Sequence, residues 1–179
     1  MFDGTSGLTR RLYQLHELHF TLSEAATPDE VCRLAVELGR EPAGVDRIGI
    51  WFKAEDNPEE FVGSYGIDEK GNLRDERSSR IPRNAAIYDD DFFSRKVPVR
   101  YFPDSPVFDN GNNPVGTADL IVAPLWNGDI SIGAFSADNF SSRRRMTEDD
   151  RHLVTLLARM VAHLVTMKRT EEALREKMA

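Results

Sequence analysis

The side chains that could carry chemistry are few and scattered along this sequence. Asp89, Asp90 and Asp91 set three carboxylates in succession, and carboxylate oxygens suit hard cations such as Mg2+ or Ca2+. Adjacent acids seldom converge on one ion without a loop built for it, and no glycine-containing calcium loop follows, so the run reads as a solvated turn or helix start. His16 and His19, three residues apart, could ligate a metal or haem, but no third ligand stands near them and a packing or interface role is expected. His152 and His163 offer no better constellation, so no metal site is expected. Cys32 is the single cysteine; it cannot form an internal disulfide and rules out chemistry that needs a cysteine pair. No nucleophile elbow, phosphate loop, dinucleotide fingerprint or H-E-x-x-H is present, and no catalytic residue is assigned. What remains is a set of rings. Tyr65, Tyr88, Phe92, Phe93, Tyr101 and Phe102 lie near Arg80, Arg83 and Asp119, the mixture of apolar walls and a few polar groups that ligand cavities use. With Trp51 and Phe135 from the neighbouring apolar segments, the candidate ligand-binding residues are Trp51, Tyr65, Tyr88, Phe92, Phe93, Tyr101, Asp119 and Phe135. The same rings could equally fill the space over a sheet as ordinary core.

The elements that must position these residues follow from periodicity. Leu8, Leu12, Leu15, Leu18 and Leu22 predict an amphipathic helix from about Ser6 to Ala25. Thr27-Pro28-Asp29-Glu30 opens a second helix, with Thr27 as cap, Pro28 in the first turn and Glu30 completing a reciprocal capping box; the helix should end before Pro42 and Gly44. Val45 to Phe52 reads as a strand with Ile48, Ile50 and Phe52 on one face, and Glu60 to Ile67 as its partner. The charged run from Asp68 to Arg80 predicts a surface excursion, and Arg80 to Pro82 another short strand. Between Asn84 and Thr117, Pro98, Pro103, Pro106, Pro114, Gly111 and Gly116 leave little room for regular structure, so an aromatic-rich excursion anchored over the sheet or a ligand is expected. Leu120 to Asn139 predicts a hairpin turning at Asn127-Gly128, and Thr147 caps a last helix that begins with three acids. Along that helix Leu153, Leu157, Met160, Leu164, Met167, Leu174 and Met178 recur at alternating four- and three-residue steps, broken only at Glu171, which is a heptad seam. A homodimer through the terminal helices is therefore expected, with Leu8, Leu12, Leu15, Leu153, Leu157, Met160, Leu164 and Met167 as its interface. The fold class is α+β: a central antiparallel sheet with helices packed on one face and long N- and C-terminal helices.

Composition bounds the partners. The 179 residues fit one domain with terminal extensions, and 23 Lys and Arg against 30 Asp and Glu give a net charge of −7, which argues against a nucleic-acid surface. Arg143-Arg144-Arg145 is a tight basic run, read here as a solvated face. No apolar run is long enough to span a bilayer and the first residues lack the pattern of a signal peptide, so no membrane partner is expected and the cytoplasm is the expected location.

In this order the residues resemble the GAF domain family of small-molecule sensor modules. The carrying features are Val45 to Phe52 after a capped helix, the hairpin ending Gly133-Ala134-Phe135-Ser136-Ala137-Asp138-Asn139, and the Thr147-Glu148-Asp149-Asp150 helix start. The resemblance spans about Thr27 to Val165. It implies a GAF-like, PAS-like architecture with a sensor unit at 27–165, an N-terminal dimerisation or packing helix at 1–26 and the start of a signalling coiled coil at 166–179. It also implies a ligand pocket between one sheet face and the excursion. The stretch from Lys168 to Glu176 is similar to the helix by which bacterial sensor modules join a histidine kinase or another output domain, and the unfinished heptad at Met178-Ala179 suggests a piece of a longer protein. Cyclic-nucleotide-binding members carry an N-K-x-F-D/E pattern that is absent here, bilin-binding members attach the pigment through a cysteine in a place unlike that of Cys32, and sulfoxide-reducing members use several cysteines. The expected role is a non-catalytic regulatory module that senses a small molecule of unknown identity, with cofactor unknown, and passes its state to a downstream effector. The competing expectation is a structural dimerisation module with no physiological ligand.

Overall fold

The computed structural model describes residues 7–94, 99–109 and 111–179. Ser6, expected to begin the first helix, and Pro98 of the excursion lie outside them.

Two helices form where the sequence places them. α1 (Gly7–Ser23) buries Leu15, Leu18 and Leu22, and α2 (Pro28–Leu38) buries Val31, Cys32, Ala35 and Val36. Thr27 caps α2 through its Oγ1, which accepts from the Glu30 N–H at 3.1 Å. The reciprocal half of the box is displaced by one residue, since Glu30 Oε2 accepts from the Ala26 N–H at 2.7 Å rather than from the cap itself. After Gly39 the chain makes one more turn, α3 (Arg40–Ala43), which accommodates Pro42 because a first-turn N–H would have no helical partner anyway. Gly44 closes it at φ 71, a left-handed conformation that costs glycine nothing.

The strands are β1 (Arg47–Lys53), β2 (Glu60–Ile67), β3 (Leu73–Asp75), β4 (Arg80–Pro82), β5 (Arg100–Phe108), β6 (Pro114–Asn127) and β7 (Ile130–Asp138). All pair antiparallel in one sheet of order β3-β2-β1-β7-β6-β5, with β4 on the outer edge of β2 beside β3. Three expectations are corrected by this sheet. The charged run after Ile67 contains the strand β3 rather than being wholly irregular. The proline-rich excursion contains β5, nine residues long. Because β5 is the edge strand, prolines 103 and 106 need donate no bond outward, and a register shift between Phe102 and Ser105 absorbs the distortion. Finally, Asn127 pairs with Ile130, so the hairpin loop is Gly128-Asp129, one residue later than expected, with Gly128 at φ 61.

α4 (Glu148–Met178) runs for 31 residues from the Thr147 capping box. It packs with α1 and α2 on one face of the sheet, over Ile48, Ile50, Ile121, Leu125 and Phe135. This main core takes in Leu15, Leu153, Leu157 and Leu164, so these four face their own chain and are unavailable to a partner. Their periodicity is real, but it records packing on the sheet. Leu8 and Met160 lie half-buried against the same core, whereas Leu12 and Met167 are exposed. The opposite face carries a smaller core of Phe61, Phe92, Leu120, Val122 and Ala134, with Ile87, Tyr88 and Phe93 packed against it from the residues that follow β4, which include a 3₁₀ turn at Asp90–Phe93.

Candidate functional site

Strand alternation decides which side chains reach the far face. On β1, Ile48, Ile50 and Phe52 point to the helices, which sends Arg47, Gly49 and Trp51 the other way. On β7, Phe135 and Ala137 enter the main core while Ser136 and Asp138 join the far side. Between this face and residues of two stretches, Ile81 to Tyr88 and Pro106 to Phe108, lies a cavity of about 410 Å³, within the size range of small-molecule sites. Gly49 and Gly66, paired across β1 and β2, line its sheet side, and the room their missing side chains leave is taken by Ser136 and Trp51 over Gly49 and by Glu76 over Gly66. Trp51, Ile81, Ile87, Tyr88 and Leu120 supply apolar wall.

One end is charged. Arg47 is buried and forks onto Asp138, with Nε to Oδ1 at 2.9 Å and Nη2 to Oδ2 at 2.7 Å, while its Nη1 donates to the Phe108 carbonyl at 3.3 Å. A planar guanidinium on a carboxylate in this geometry is a strong and directional pair. Beside it Glu76 lies over Gly66, where a Cβ would meet its Oε1 at 2.8 Å. Arg74 donates to that Oε1 from Nε at 2.8 Å and from Nη2 at 2.5 Å. Burial pushes the Glu76 carboxyl above the usual range, against the opposing pull of Arg74 and Arg47.

The residues expected to bind a ligand divide. Trp51 and Tyr88 line the cavity. Phe92 and Phe93 do not; they stack edge-on with each other, with ring centroids 5.2 Å apart, and with Tyr88 and Phe61 they pin the residues that follow β4 to the sheet. Tyr65 is turned to the helical side by a register shift in β2, where it packs against the main core with Arg77 over its ring. Tyr101 is also on the helical side, under Arg151, and its hydroxyl donates to Asp119 Oδ2 at 2.6 Å. Asp119 is a structural anchor, accepting in addition from the Met146 N–H at 2.9 Å and from Arg145 Nη1 at 2.7 Å. Burial alone would raise its carboxyl, but these hydrogen bonds outweigh that and hold it at about 2. Phe135 is fully buried in the main core. Sequence reasoning missed Arg47, Glu76, Ser136 and Asp138. For three of them the signal was present, since each is a polar residue at alternate spacing to the apolar face of an apolar strand.

Other candidates find structural work. Asp89 caps the 3₁₀ turn, accepting from the Phe92 N–H at 3.0 Å, and pairs with Arg100 at 2.7 Å. His16 stacks on Phe20 with centroids 5.1 Å apart. The basic run is not merely solvated: Arg144 reaches Asp150 and the Gly44 carbonyl, and Arg145 bridges Asp104 and Asp119. Cys32 is buried, and burial pushes its thiol up to about 12, far from a reactive thiolate. Among the described residues no group of three or more His, Cys, Asp or Glu could hold a metal ion, and no helix is long and apolar enough to cross a membrane.

Comparison with known families gives a match to the GAF domain over residues 27–165. The chain belongs to the GAF domain family. The fold is shared with the GAF domain of a phosphoenolpyruvate-protein phosphotransferase from Coxiella burnetii, at 14% identity and TM-score 0.70 over 94% of this chain and 99% of that one. It is shared too with the chromophore-binding domain of a bacteriophytochrome from R. palustris, at 15% identity and TM-score 0.69, where 94% of this chain covers 64% of the other. A free methionine-R-sulfoxide reductase from Neisseria meningitidis matches at 16% identity and TM-score 0.65, over 96% of this chain and 97% of that one. At these identities the likeness speaks for the fold alone. No curated protein matches the sequence. GAF domains are generally regulatory, and the neighbours of this one include sensory domains.

Proposed function

We propose that this GAF domain is a non-catalytic, cytoplasmic sensor that binds a small molecule in the far-face cavity and relays occupancy through α4, in a homodimer, to an output domain such as a histidine kinase. Residues 27–165 form the sensor unit, with α1 before it and the end of α4 after it as its helical arms. The observation that carries the reading is the cavity itself: about 410 Å³ on the far face of the sheet, with Trp51, Ile81, Ile87, Tyr88 and Leu120 as apolar wall, Asn84, Asn112 and Ser136 as neutral polar groups and a charged end at Arg47, Glu76 and Asp138. The relay has a physical route. Trp51 lines the cavity, and its neighbour Phe52 faces the other side, where Arg169 of α4 lies 4.4 Å from its ring centroid. A ligand that shifts β1 thus acts on a residue near the far end of α4, provided it binds one helix arrangement better than the other.

Ligand-dependent thermal stabilisation tests the binding half. A ligand found by screening metabolites should raise the melting temperature in proportion to the logarithm of its excess. Ser136→Leu, which fills the cavity from β7, should abolish that rise and leave the ligand-free melting temperature within about 5 °C, roughly the effect of 1 kcal/mol.

For the dimer, the relevant residues are those the protomer leaves uncovered. Met167 is 42% exposed, Leu174 57% and Met178 79%. Met167→Lys with Leu174→Lys should convert a dimer into a monomer in sedimentation without loss of helical signal. A double variant that sediments as the wild-type dimer does would remove the α4 seam from the account. The alternative, a structural dimerisation module with no ligand, is favoured by one feature: Arg47 and Asp138 satisfy each other inside the cavity. A failed screen with a stable dimer would select it.

A further inference from the structure

The outer side of α4 carries a second repeat, offset from the one that the sheet absorbs. Leu156, Met160, His163, Met167, Thr170 and Leu174 follow one another at alternating four- and three-residue steps, and all are exposed except Met160, which is half-buried. That spacing is the seam of a coiled coil, where each side chain enters a gap on a facing helix. No charge interrupts it, and the charges of this stretch, among them Arg159 and Glu171, stand beside it. α4 also continues from Thr166 to Met178 without burying a residue. A helix of that length is marginal in water on its own, so the face that carries Met167 and Leu174 calls for a helical partner.

A second copy of the chain fits that role. The repeat starts over the body and runs on past it, so the partner must offer a helix of matching length and period, as α4 of a second copy does. Charge does not oppose the meeting: the chain is acidic as a whole, but Lys168, Arg169, Arg175 and Lys177 offset Glu171, Glu172 and Glu176 along the free end. The polar positions set the direction. In parallel register each seam residue meets its own copy, so His163 faces His163 and Thr170 faces Thr170, and each pair can share a hydrogen bond. The antiparallel register that superposes the repeat on itself sets His163 against Met167 and Thr170 against Met160, which buries polar groups without partners.

Resting on the dimer of the reading above, we propose that two chains pair in parallel along this seam with His163 of each against His163 of the other, so that the dimer loosens as the solution is acidified. A neutral imidazole both donates and accepts, which gives the pair one hydrogen bond; two imidazolium rings have no acceptor between them and repel. The association is therefore full above the ordinary histidine range, about pH 6.5, and is lost as pH falls through it. On α4, Arg159 precedes His163 by one turn, and Glu171 shares its cleft with Trp126, Asn127 and Gly128 of the β6–β7 hairpin, whose tip adds Asp129. Arginines and carboxylates, here and on the packed helices α1 and α2, keep their charge across that window; His16 and His19 of α1 and His152 of α4 are the other imidazoles, and substitution at His163 alone separates its effect from theirs.

Sedimentation equilibrium of the full chain at about pH 8 and about pH 5.5 tests this, with the wild type beside His163→Gln, which stays neutral and still pairs with its own copy. The wild-type dissociation constant should rise about tenfold or more at the lower pH, with the helical circular dichroism unchanged, and that of the variant should stay within about threefold. Crosslinking reads the geometry directly. Air oxidation of His163→Cys or Met167→Cys should give covalent dimers, because both stand on the seam, whereas Arg169→Cys, on the side of α4 turned to Phe52, should not; Cys32 is buried and stays out of the reaction. An affinity that ignores pH, a pH response that survives in His163→Gln, or crosslinking at Arg169→Cys in place of the seam would overturn the pairing and leave the dimer standing. A monomer at about pH 8 would overturn the pairing and the dimer together, and the ligand-dependent melting temperature would still decide the cavity.

Discussion

Replacing Asp150 by alanine should destabilise the protein by about 3–5 kcal/mol, the range found when one member of a buried ion pair is removed. The carboxylate is 1% exposed and holds three parts of the chain at once. Its Oδ1 accepts from Arg11 of α1 at 2.6 Å, and its Oδ2 from Arg144 of the preceding loop at 2.9 Å and from the Thr147 N–H at 2.8 Å. Alanine would remove the capping box of α4 and leave two guanidinium groups without their counter-charge. The pH dependence has a definite sign. Burial would raise the Asp150 carboxyl, but hydrogen bonds from Thr147, Arg144 and Arg11 prevail and its folded pKa is depressed. Its contribution is therefore present above the unfolded carboxylate pKa of about 4 and is lost as pH falls through the lower folded value. Urea denaturation at neutral pH should show the full loss in Asp150→Ala with an unchanged slope, and the gap between variant and wild type should narrow below pH 4.

Phe135→Ala should cost a similar amount, about 3–5 kcal/mol, by opening a cavity in the middle of the main core. Phe135 is fully buried on β7, between β1 and β6 in the sheet and under the helices. The experiment also separates two roles. A ring that served a ligand would be replaceable with little loss of ligand-free stability, whereas a core ring carries its cost without any ligand. The unfolding midpoint of the apo variant is the readout, and a change below about 1 kcal/mol would return Phe135 to the cavity.

Much of this fold could be read from the chain. β2 runs from Glu60 to Ile67 as its apolar pattern requires, and Thr147 opens α4 with the box its sequence suggests. What was illegible has physical causes. Proline in Arg100–Phe108 argues against a strand only if both edges must donate hydrogen bonds, and an edge position is a property of the sheet, invisible in the segment itself. The register shift in β2 sends Phe61 to the far face and Tyr65 to the helices, so that alternation alone places one of them wrongly. The heptad spacing of α4 is compatible with a partner helix or with the protein's own sheet, and Leu153, Leu157 and Leu164 show that most of it serves the sheet. The site was half legible. Rings drew attention because they are large, and Trp51 and Tyr88 do reach the cavity, but its polar end is built from Arg47, Glu76 and Asp138, which a linear reading treats as ordinary surface charge.

The most direct test of the sensor account is native mass spectrometry of freshly purified protein, followed by denaturation and identification of any released molecule. The account predicts a dimer carrying one small molecule per chain that is absent from Ser136→Leu. A clean ligand-free dimer, unchanged by that substitution and unaffected by a metabolite screen, would contradict it.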